Sequence, residues 1–246
     1  MDFAINFAAQ WMALFAIIAV LVLARQVQLR IGWLVVAVAF FAIAVTALVW
    51  LGDFIPLQRW FGPLQWNWGG KIVGIAASLL MVAGLWLFAR KPPRESGLTL
   101  RMERGSIVPA LLVSALMVGA TIGLEVLAQD GTDTSPERLL YQATMPGLDE
   151  ELFWRGVFLL AMNEALRGGR FGLGGAELSW AGVLVSLLFG LVHGVQYSEG
   201  AFSVSWLVIG ITGVIGFGLY WLRARTGSIV IPIIVHNVIN VSGSFF

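Results

Sequence analysis

Long apolar segments separated by short polar connections run along the whole chain of 246 residues. A helix needs about 20 apolar residues to cross the hydrocarbon core of a bilayer. The segments predict eight membrane-spanning helices, near residues 3–24, 31–51, 72–89, 107–128, 140–163, 180–197, 201–222 and 228–246. We therefore expect an all-α fold, a polytopic membrane helical bundle that forms a single integral membrane domain over residues 1–246.

The composition agrees with a membrane protein and excludes several soluble classes. Hydrophobic residues make up 59% of the chain and charged residues only 12%, whereas a soluble domain has about 25% charged residues. A net charge of +1 provides no basic surface for a nucleic acid. The chain contains no cysteine, which excludes disulfides, thiolate metal ligands and cysteine nucleophiles. The expected partner of the surface is the lipid bilayer, and in a prokaryote the expected location is the plasma (inner) membrane.

Lysine and arginine residues predict the orientation of the bundle, since cytoplasmic loops carry an excess of them. The first, third, fifth and seventh loops hold eleven of these residues, while the other three loops hold only Arg59, Lys71 and Arg138. This difference predicts that both termini lie outside the cytoplasm.

Two connections are long enough to have a conformation of their own. Residues 54–70 contain Trp60, Trp66 and Trp68, which is typical of an interfacial segment with an aromatic belt; a lid over a ligand site is the alternative. Residues 164–179 are rich in glycine and nearly neutral, and they predict a flexible loop. The first three spans and their loops, residues 1–106, contain no motif.

The ionisable side chains inside predicted spans are the most informative residues. The fifth span holds Asp149, Glu150, Glu151 and Arg155. A charge at the centre of a membrane helix costs about 3 kcal/mol, so this cluster requires pairing, hydration or a function. Glu151 and Arg155 are four residues apart, which puts them on one helix face and predicts an ion pair. Glu150 lies about 100° around the helix from Glu151 and can face a different space.

Pro146 and Gly147 stand just before this cluster and predict an interruption of the helix. The acids would then begin a new helical segment, covered by protein or facing a water-filled cavity. A structural ion pair that locks the fifth span into the bundle is the alternative role of Glu151 and Arg155.

The chain has two histidines, and both fall inside predicted spans. His193 lies in the sixth span and His236 in the eighth, where Asn240 follows four residues later on the same helix face. A single histidine in an apolar helix is commonly a packing residue. Two histidines with buried acids and an asparagine, however, provide a base, a second imidazole and an amide donor, the groups needed to hydrolyse a carbonyl compound.

Three motifs in this order resemble those of a known family. They are Glu-Glu-x-x-x-Arg (Glu150, Glu151, Arg155), Phe-x-x-x-His (Phe189, His193) and His-x-x-x-Asn (His236, Asn240). Each motif alone is weak. All three in order, each inside a predicted span, resemble the CAAX-processing type II membrane endopeptidases and their bacterial relatives, the CPBP or Abi group. The resemblance covers roughly residues 107–246 and implies that these residues form the catalytic core.

The resemblance implies an intramembrane endopeptidase. Its substrates would be membrane-associated or C-terminal, CAAX-like peptides or proteins, which can carry a lipid. By the same resemblance, Glu150 and His193 activate a water for attack on the peptide carbonyl.

The other motif residues would support this step. By similarity, His236 and Asn240 stabilise the oxyanion, and a donor aimed at developing charge contributes about 3–4 kcal/mol. Arg155 would hold Glu151 and so fix the helix. This glutamate-dependent mechanism requires no cofactor.

A zinc-dependent version of the same protease is an open alternative. Two histidines and a glutamate can bind Zn²⁺ and leave a fourth position for water, and here the ligands would be Glu150, His193 and His236. The chain contains no HExxH motif, and three separate helices would have to supply the ligands. We therefore favour the metal-free mechanism.

Two further classes of function are compatible with these residues. Some relatives in bacteriocin systems are proposed to be non-catalytic immunity proteins, so an immunity or scaffold protein is one alternative. A proton-coupled transporter that uses Glu150 and the histidines as a relay is the other. The complete set of motif residues favours the enzyme, since a scaffold need not keep all of them. The chain also shows no internal inverted repeat of the kind common in transporters.

Overall fold

The computed structural model describes residues 2–128 and 131–246. Within them the α-helices are α1 (Asp2–Leu23), α2 (Ile31–Thr46), α3 (Leu57–Phe61), α4 (Trp68–Ala89), α5 (Ile107–Ala128), α6 (Pro136–Glu151), α7 (Leu159–Ala165), α8 (Trp180–Gly194), α9 (Trp206–Thr226) and α10 (Val230–Ser242). Short antiparallel sheets join β1 (Gln28–Leu29) to β2 (Leu166–Arg167), β3 (Arg170–Leu173) to β4 (Ala176–Ser179) and β5 (Val195–Ser198) to β6 (Ala201–Val204). The predicted all-α helical bundle is confirmed.

Five helices of the described residues are long and apolar enough to cross a membrane. They are Ala4–Leu23, Ile31–Phe54, Trp68–Ala89, Ile107–Ala128 and Trp206–Thr226. Much of their surface is apolar and exposed: on α5, Leu112, Leu116 and Leu127 are each more than two-thirds exposed. A continuous apolar surface of this kind is stable against lipid rather than water, so the chain is an integral membrane protein. Of the other predicted spans, α8 and α10 are apolar but shorter, and α6 carries the charged cluster.

The helices divide into two compact units, and the first unit comprises Met1–Ala37 and Ala161–Trp221. Within it α1 packs against α8 and β5. Pairing of β1 with β2 joins the segment before α2 to the segment after α7. The core of this unit includes Trp11, Leu14 and Leu188, all of them buried.

The second unit comprises Val38–Leu160 and Leu222–Phe246. In this unit α6 packs most extensively against α10 and also against α4, while α10 contacts α5. Aromatic side chains fill the space where α6 ends: the ring of Phe41 lies 6.3 Å from that of Phe153 and 5.9 Å from that of Phe158. The acidic cluster therefore lies on a helix that packs against both α10 and α4.

Helix α6 does not break at Pro146, contrary to the prediction. It runs unbroken to Glu151 and is followed by a π-helical segment, Leu152–Phe158. A proline inside a helix lacks a backbone donor and disturbs the hydrogen bonds around it. Here Oδ1 of Asn237 accepts a hydrogen bond from the backbone N–H of Gly147 (2.7 Å), and Nδ2 donates to the carbonyl of Thr144 (3.4 Å). Side-chain contacts from α10 thus stabilise the helix around the proline.

The prediction of a flexible loop over residues 164–179 is wrong. This segment contains β2 and the hairpin of β3 and β4. The two-residue turn of the hairpin is Gly174–Gly175, and both residues have positive φ (57° and 78°). Two adjacent residues of positive φ are what a type I′ turn requires, so the glycines that suggested flexibility instead close a regular hairpin.

The predicted spans at 180–197 and 201–222 each include residues that are not helical. Residues 195–198 and 201–204 pair as β5 and β6, so α8 ends at Gly194 and α9 begins at Trp206. Short apolar runs fit a strand as well as a helix when only periodicity is considered. Here the two runs pair with each other, and this pairing makes both of them strands.

The tryptophans of residues 54–70 divide between two environments. Trp60 on α3 is exposed, as an interfacial residue would be. The ring of Trp66, by contrast, stacks on Tyr141 of α6 with centroids 5.1 Å apart, and Nε1 of Trp68 donates to Oε1 of Glu137 (3.1 Å). This segment therefore packs on the first turns of α6.

Candidate active site

Lys71, which was not predicted to be a site residue, belongs to the acidic cluster. Asn67 caps α4 by accepting a backbone hydrogen bond from the first turn (2.9 Å), and Lys71 follows within that turn. Its Nζ lies 3.0 Å from Oδ2 of Asp149 and 2.8 Å from Oε1 of Glu150. The prediction that Lys71 lies in an outer loop is therefore wrong, since the residue is buried inside α4 and paired with two acids.

Close approach of α4 and α6 makes this contact possible. Gly74 follows Lys71 by three residues on α4, and a Cβ at this position would overlap the carboxylate of Asp149. The cap at Asn67 is the sequence signal that would have extended α4 to include Lys71, because asparagine is a preferred residue just before a helix. Nothing local, however, shows which acids the lysine meets.

Glu151 is the centre of a second, buried set of contacts. Its Oε1 accepts a hydrogen bond from Nη1 of Arg155 (2.9 Å) and lies 2.7 Å from Nδ1 of His236. Glu151 and Arg155 are 0% and 1% exposed, and the predicted ion pair between them is confirmed. Because a carboxylate can only accept, Nδ1 of His236 carries the proton in this contact. Arg155 thus holds Glu151, and Glu151 orients the imidazole ring.

Glu150 lies between the two sets of contacts. Lys71 binds its Oε1, while its Oε2 lies 3.8 Å from Nε2 of His236. The side chain of Glu150 is 20% exposed, compared with 9% for Asp149 and 0% for Glu151. Glu150 is therefore the acid of this run that is most accessible to a water or a substrate.

The position of His236 depends on the packing of α10 against α6. A Cβ at Gly147 would lie 2.6 Å from the carbonyl oxygen of Ile233 and 2.6 Å from Oδ1 of Asn237, so this approach requires glycine. Asn237 was not predicted to have a role, although it stands next to His236. Asn240 was predicted: it is half-buried, and its side chain makes no hydrogen bond to another residue within 2–128 and 131–246.

We expect Gly147→Ala to destabilise the protein by about 1–3 kcal/mol, because the added methyl group forces α10 away from α6. The matched control is Gly123→Ala on α5, where a Cβ would meet no atom within 4 Å; there alanine should be neutral or slightly stabilising. Thermal unfolding of both variants in detergent measures the difference. Equal melting temperatures for the two variants would contradict the close contact.

His193 lies in the first unit, near the end of α8. Its Nδ1 is 2.6 Å from the carbonyl oxygen of Phe189, and the two rings are 4.6 Å apart. A carbonyl oxygen only accepts, so Nδ1 donates in this contact and Nε2 is the nitrogen that remains for another partner. Phe189 itself is buried, in agreement with a packing role, whereas His193 is exposed.

Comparison with known proteins agrees with the motifs. The family model described as "Type II CAAX prenyl endopeptidase Rce1-like" matches residues 134–242, a segment that contains all three motifs. The resemblance to the CAAX-processing family is confirmed. No curated protein and no solved structure matches the chain.

The Rce1-like match indicates, in general terms, a CAAX-type intramembrane protease. It covers α6, α8 and α10, which carry the motif residues, but it begins after α4. Lys71 therefore lies outside the Rce1-like segment, and its contact with Glu150 is visible only in the tertiary structure.

The residues of the second unit do not fit the zinc alternative well. Among the described parts of the chain, no three His, Asp or Glu side chains converge as metal ligands would. Oε1 of Glu150 accepts a hydrogen bond from the Lys71 ammonium, and Nδ1 of His236 contacts Glu151. A divalent cation at Glu150 would lie beside that ammonium and be repelled by it.

Proposed function

We infer that the protein is an intramembrane endopeptidase in which Glu150 activates the attacking water. The observation that carries this inference is the setting of Glu150: one carboxylate oxygen is held by Lys71, and the other faces Nε2 of His236 in the most exposed part of the cluster. A carboxylate that is held by an ammonium and lies beside an imidazole suits a general base. The substrates are membrane-associated or C-terminal, CAAX-like peptides, with or without a lipid.

In this mechanism Oε2 of Glu150 takes a proton from a water, and the water oxygen attacks the carbonyl carbon of the scissile peptide bond. The bond between that carbon and the amide nitrogen then breaks. Glu150 returns the proton to the leaving nitrogen, so that a carboxylic acid and an amine are released and the enzyme is unchanged.

The oxyanion formed by this attack needs hydrogen-bond donors. The side-chain amide of Asn240, which has no other partner among the described residues, is one donor. Nε2 of His236, when protonated, is the other, and the contact of Nδ1 with Glu151 keeps this imidazole oriented. Such donors are effective because they are already in position before charge develops. His193 keeps the role of a second base that the resemblance implies.

The experiment that tests this proposal is cleavage by the purified protein in detergent. The substrates are fluorogenic CAAX peptides, each prepared with and without a prenyl group, and each assay is run with and without a strong chelator. We expect cleavage that the chelator does not change. Chelator-sensitive cleavage that zinc restores would instead favour the zinc enzyme, and no cleavage of any peptide would favour the immunity or scaffold alternative.

Lys71 is proposed as the positioning residue for Glu150. We expect Lys71→Met to lower kcat by about 10- to 100-fold, because the carboxylate loses the contact that holds it in place. Lys71→Arg keeps the charge and should recover most of the activity. Asp149→Asn is the matched control: it removes the other acid of the same lysine and should keep nearly normal kcat. Equal loss in Lys71→Met and Asp149→Asn would show that the cluster is only structural.

A further inference from the structure

The hairpin of β5 and β6 follows His193 directly and has two edges. Its strands pair in the register Val195↔Val204, Gln196↔Ser203, Tyr197↔Phe202 and Ser198↔Ala201. The turn consists of Glu199 and Gly200, with φ of 52° and 85°, so it is a two-residue turn of the primed kind.

The register decides which backbone groups point outward. The two residues that flank a two-residue turn exchange backbone hydrogen bonds with each other. Along an antiparallel pair of strands, such hydrogen-bonded residue pairs alternate with pairs whose backbone groups point outward. The hydrogen bond from the N–H of Ser205 to the carbonyl of Gly194 (2.8 Å) agrees with this alternation, because it joins the residue pair that follows Val195↔Val204. On β6, the N–H and C=O groups of Phe202 and Val204 therefore point away from β5.

The outer edge of β5 is covered by α1. Asn6 accepts a hydrogen bond from the backbone N–H of Tyr197 (2.6 Å) and donates one to its carbonyl (3.0 Å). Gln10 donates to the carbonyl of Val195 (3.4 Å). Two side chains of a helix thus take the place of a neighbouring strand.

The outer edge of β6 has no such cover. Among residues 2–128 and 131–246, β6 pairs only with β5, and no side chain bonds to the backbone of Phe202 or Val204. Both residues are well exposed, at 54% and 43%. The strand immediately precedes α9, which is long and apolar enough to cross a membrane. An open, apolar strand edge is a template for another extended chain, and one near lipid has a particular need of a partner.

We propose that the outer edge of β6 binds the peptide substrate as an added, extended strand. The proposal rests on the protease function above. The peptide would form up to four backbone hydrogen bonds, with the N–H and C=O groups of Phe202 and Val204. Specificity would then come from alternate side chains, while the backbone pairing itself is independent of sequence.

An extended peptide suits this edge for two reasons. A peptide bond inside a helix has its carbonyl engaged in a helical hydrogen bond and wrapped by side chains, so it must be extended before water can attack it. Val204 also lies directly across from Val195, two residues after His193. A strand added to β6 is two strand spacings, roughly 10 Å, from the line of β5, which keeps it in the neighbourhood of His193.

The first arm of the test uses the wild-type protein and a modified substrate. The peptide that is cleaved best in the assay above is synthesised with a single backbone N-methyl group at each position in turn. N-methylation removes one N–H donor without changing the side chain. We expect KM to rise about 10-fold at alternate positions on one side of the cleavage site and to change little at the positions between them, because only every second residue bonds to β6.

The second arm changes the protein. Phe202→Pro removes the outward N–H but leaves the pairing with β5 intact, as proline is tolerated at an open edge. Phe202→Ala removes the same ring and keeps the N–H. We expect KM to rise about 10-fold for Phe202→Pro and no more than about threefold for Phe202→Ala, with kcat preserved in both.

Several results would overturn the proposal. One is a KM that does not depend on the position of the methyl group; another is equal KM for Phe202→Pro and Phe202→Ala. Crosslinking of two copies through β6 with unchanged KM would assign the edge to dimerisation instead. If Glu150→Gln is inactive in these cases, the protease function stands while the role of the edge is rejected. A wild-type protein that cleaves nothing would reject the function itself, and this inference with it.

Discussion

Glu150→Gln is expected to lower kcat for peptide cleavage by about 10²- to 10⁴-fold, the range that a general base contributes. The amide has the size of the carboxylate, and its oxygen can still accept the hydrogen bond from Nζ of Lys71, which lies 2.8 Å away in the native protein. It cannot take a proton from water at neutral pH. Folding should therefore be preserved while the chemical step is lost.

The measurement is the initial rate of cleavage at saturating substrate, with thermal unfolding of the same samples. Asp149→Asn serves as the control, since this neighbouring acid shares Lys71 but is less exposed, and the variant should cleave at nearly the wild-type rate. Full activity in Glu150→Gln would remove Glu150 from the mechanism. Substrate binding that persists in the inactive variant would show that the loss concerns chemistry.

Arg155→Ala is expected to destabilise the protein by about 3–5 kcal/mol, because it leaves a buried charge without its partner. Glu151 and Arg155 are almost completely inaccessible, so water cannot replace the lost guanidinium. Activity should fall as well, since Glu151 also contacts Nδ1 of His236 and a displaced carboxylate no longer orients that ring. Arg155→Lys keeps the charge and should lose less stability.

A double variant separates the two effects. Glu151→Gln with Arg155→Met replaces the ion pair by neutral side chains of similar size, and such replacements of buried pairs are often nearly neutral for stability. We expect this variant to unfold near the wild-type temperature in detergent but to have a lower kcat, because a neutral amide at position 151 holds the imidazole of His236 less strongly than an ionised carboxylate does. A stable and fully active Arg155→Ala would contradict the buried pair.

Contacts between residues close in the chain could be predicted because helix geometry alone decides them. Glu151 and Arg155 share a helix face at a separation of four residues, and the structure pairs them at 2.9 Å. The long spans could be predicted from the length of their apolar segments for a similar reason, since the thickness of a bilayer fixes how many residues a membrane-spanning helix needs. The hairpin of β5 and β6 was missed because periodicity does not distinguish a short apolar strand from a helix. The hairpin of β3 and β4 was missed because the glycines of its turn suggested flexibility.

Contacts between distant segments could not be predicted in this way. Lys71 meets Glu150 across 79 positions, and His236 meets Glu151 across 85. Both contacts depend on which helices become neighbours and on the small residues, Gly74 and Gly147, that let their backbones approach. The helix through Pro146 is a further case, because the hydrogen bonds that support it come from Asn237 on α10.

The sequence by itself thus determined that the chain is an integral membrane bundle, and it determined that Glu151 and Arg155 pair within one of its helices. Only the tertiary structure decided that Lys71 joins the acids, that Glu150 is the most accessible of them, and that β6 has an open edge. The physical reason is that apolar length and helical spacing are local properties of the chain. Burial, charge pairing and strand pairing depend instead on which distant segments pack together.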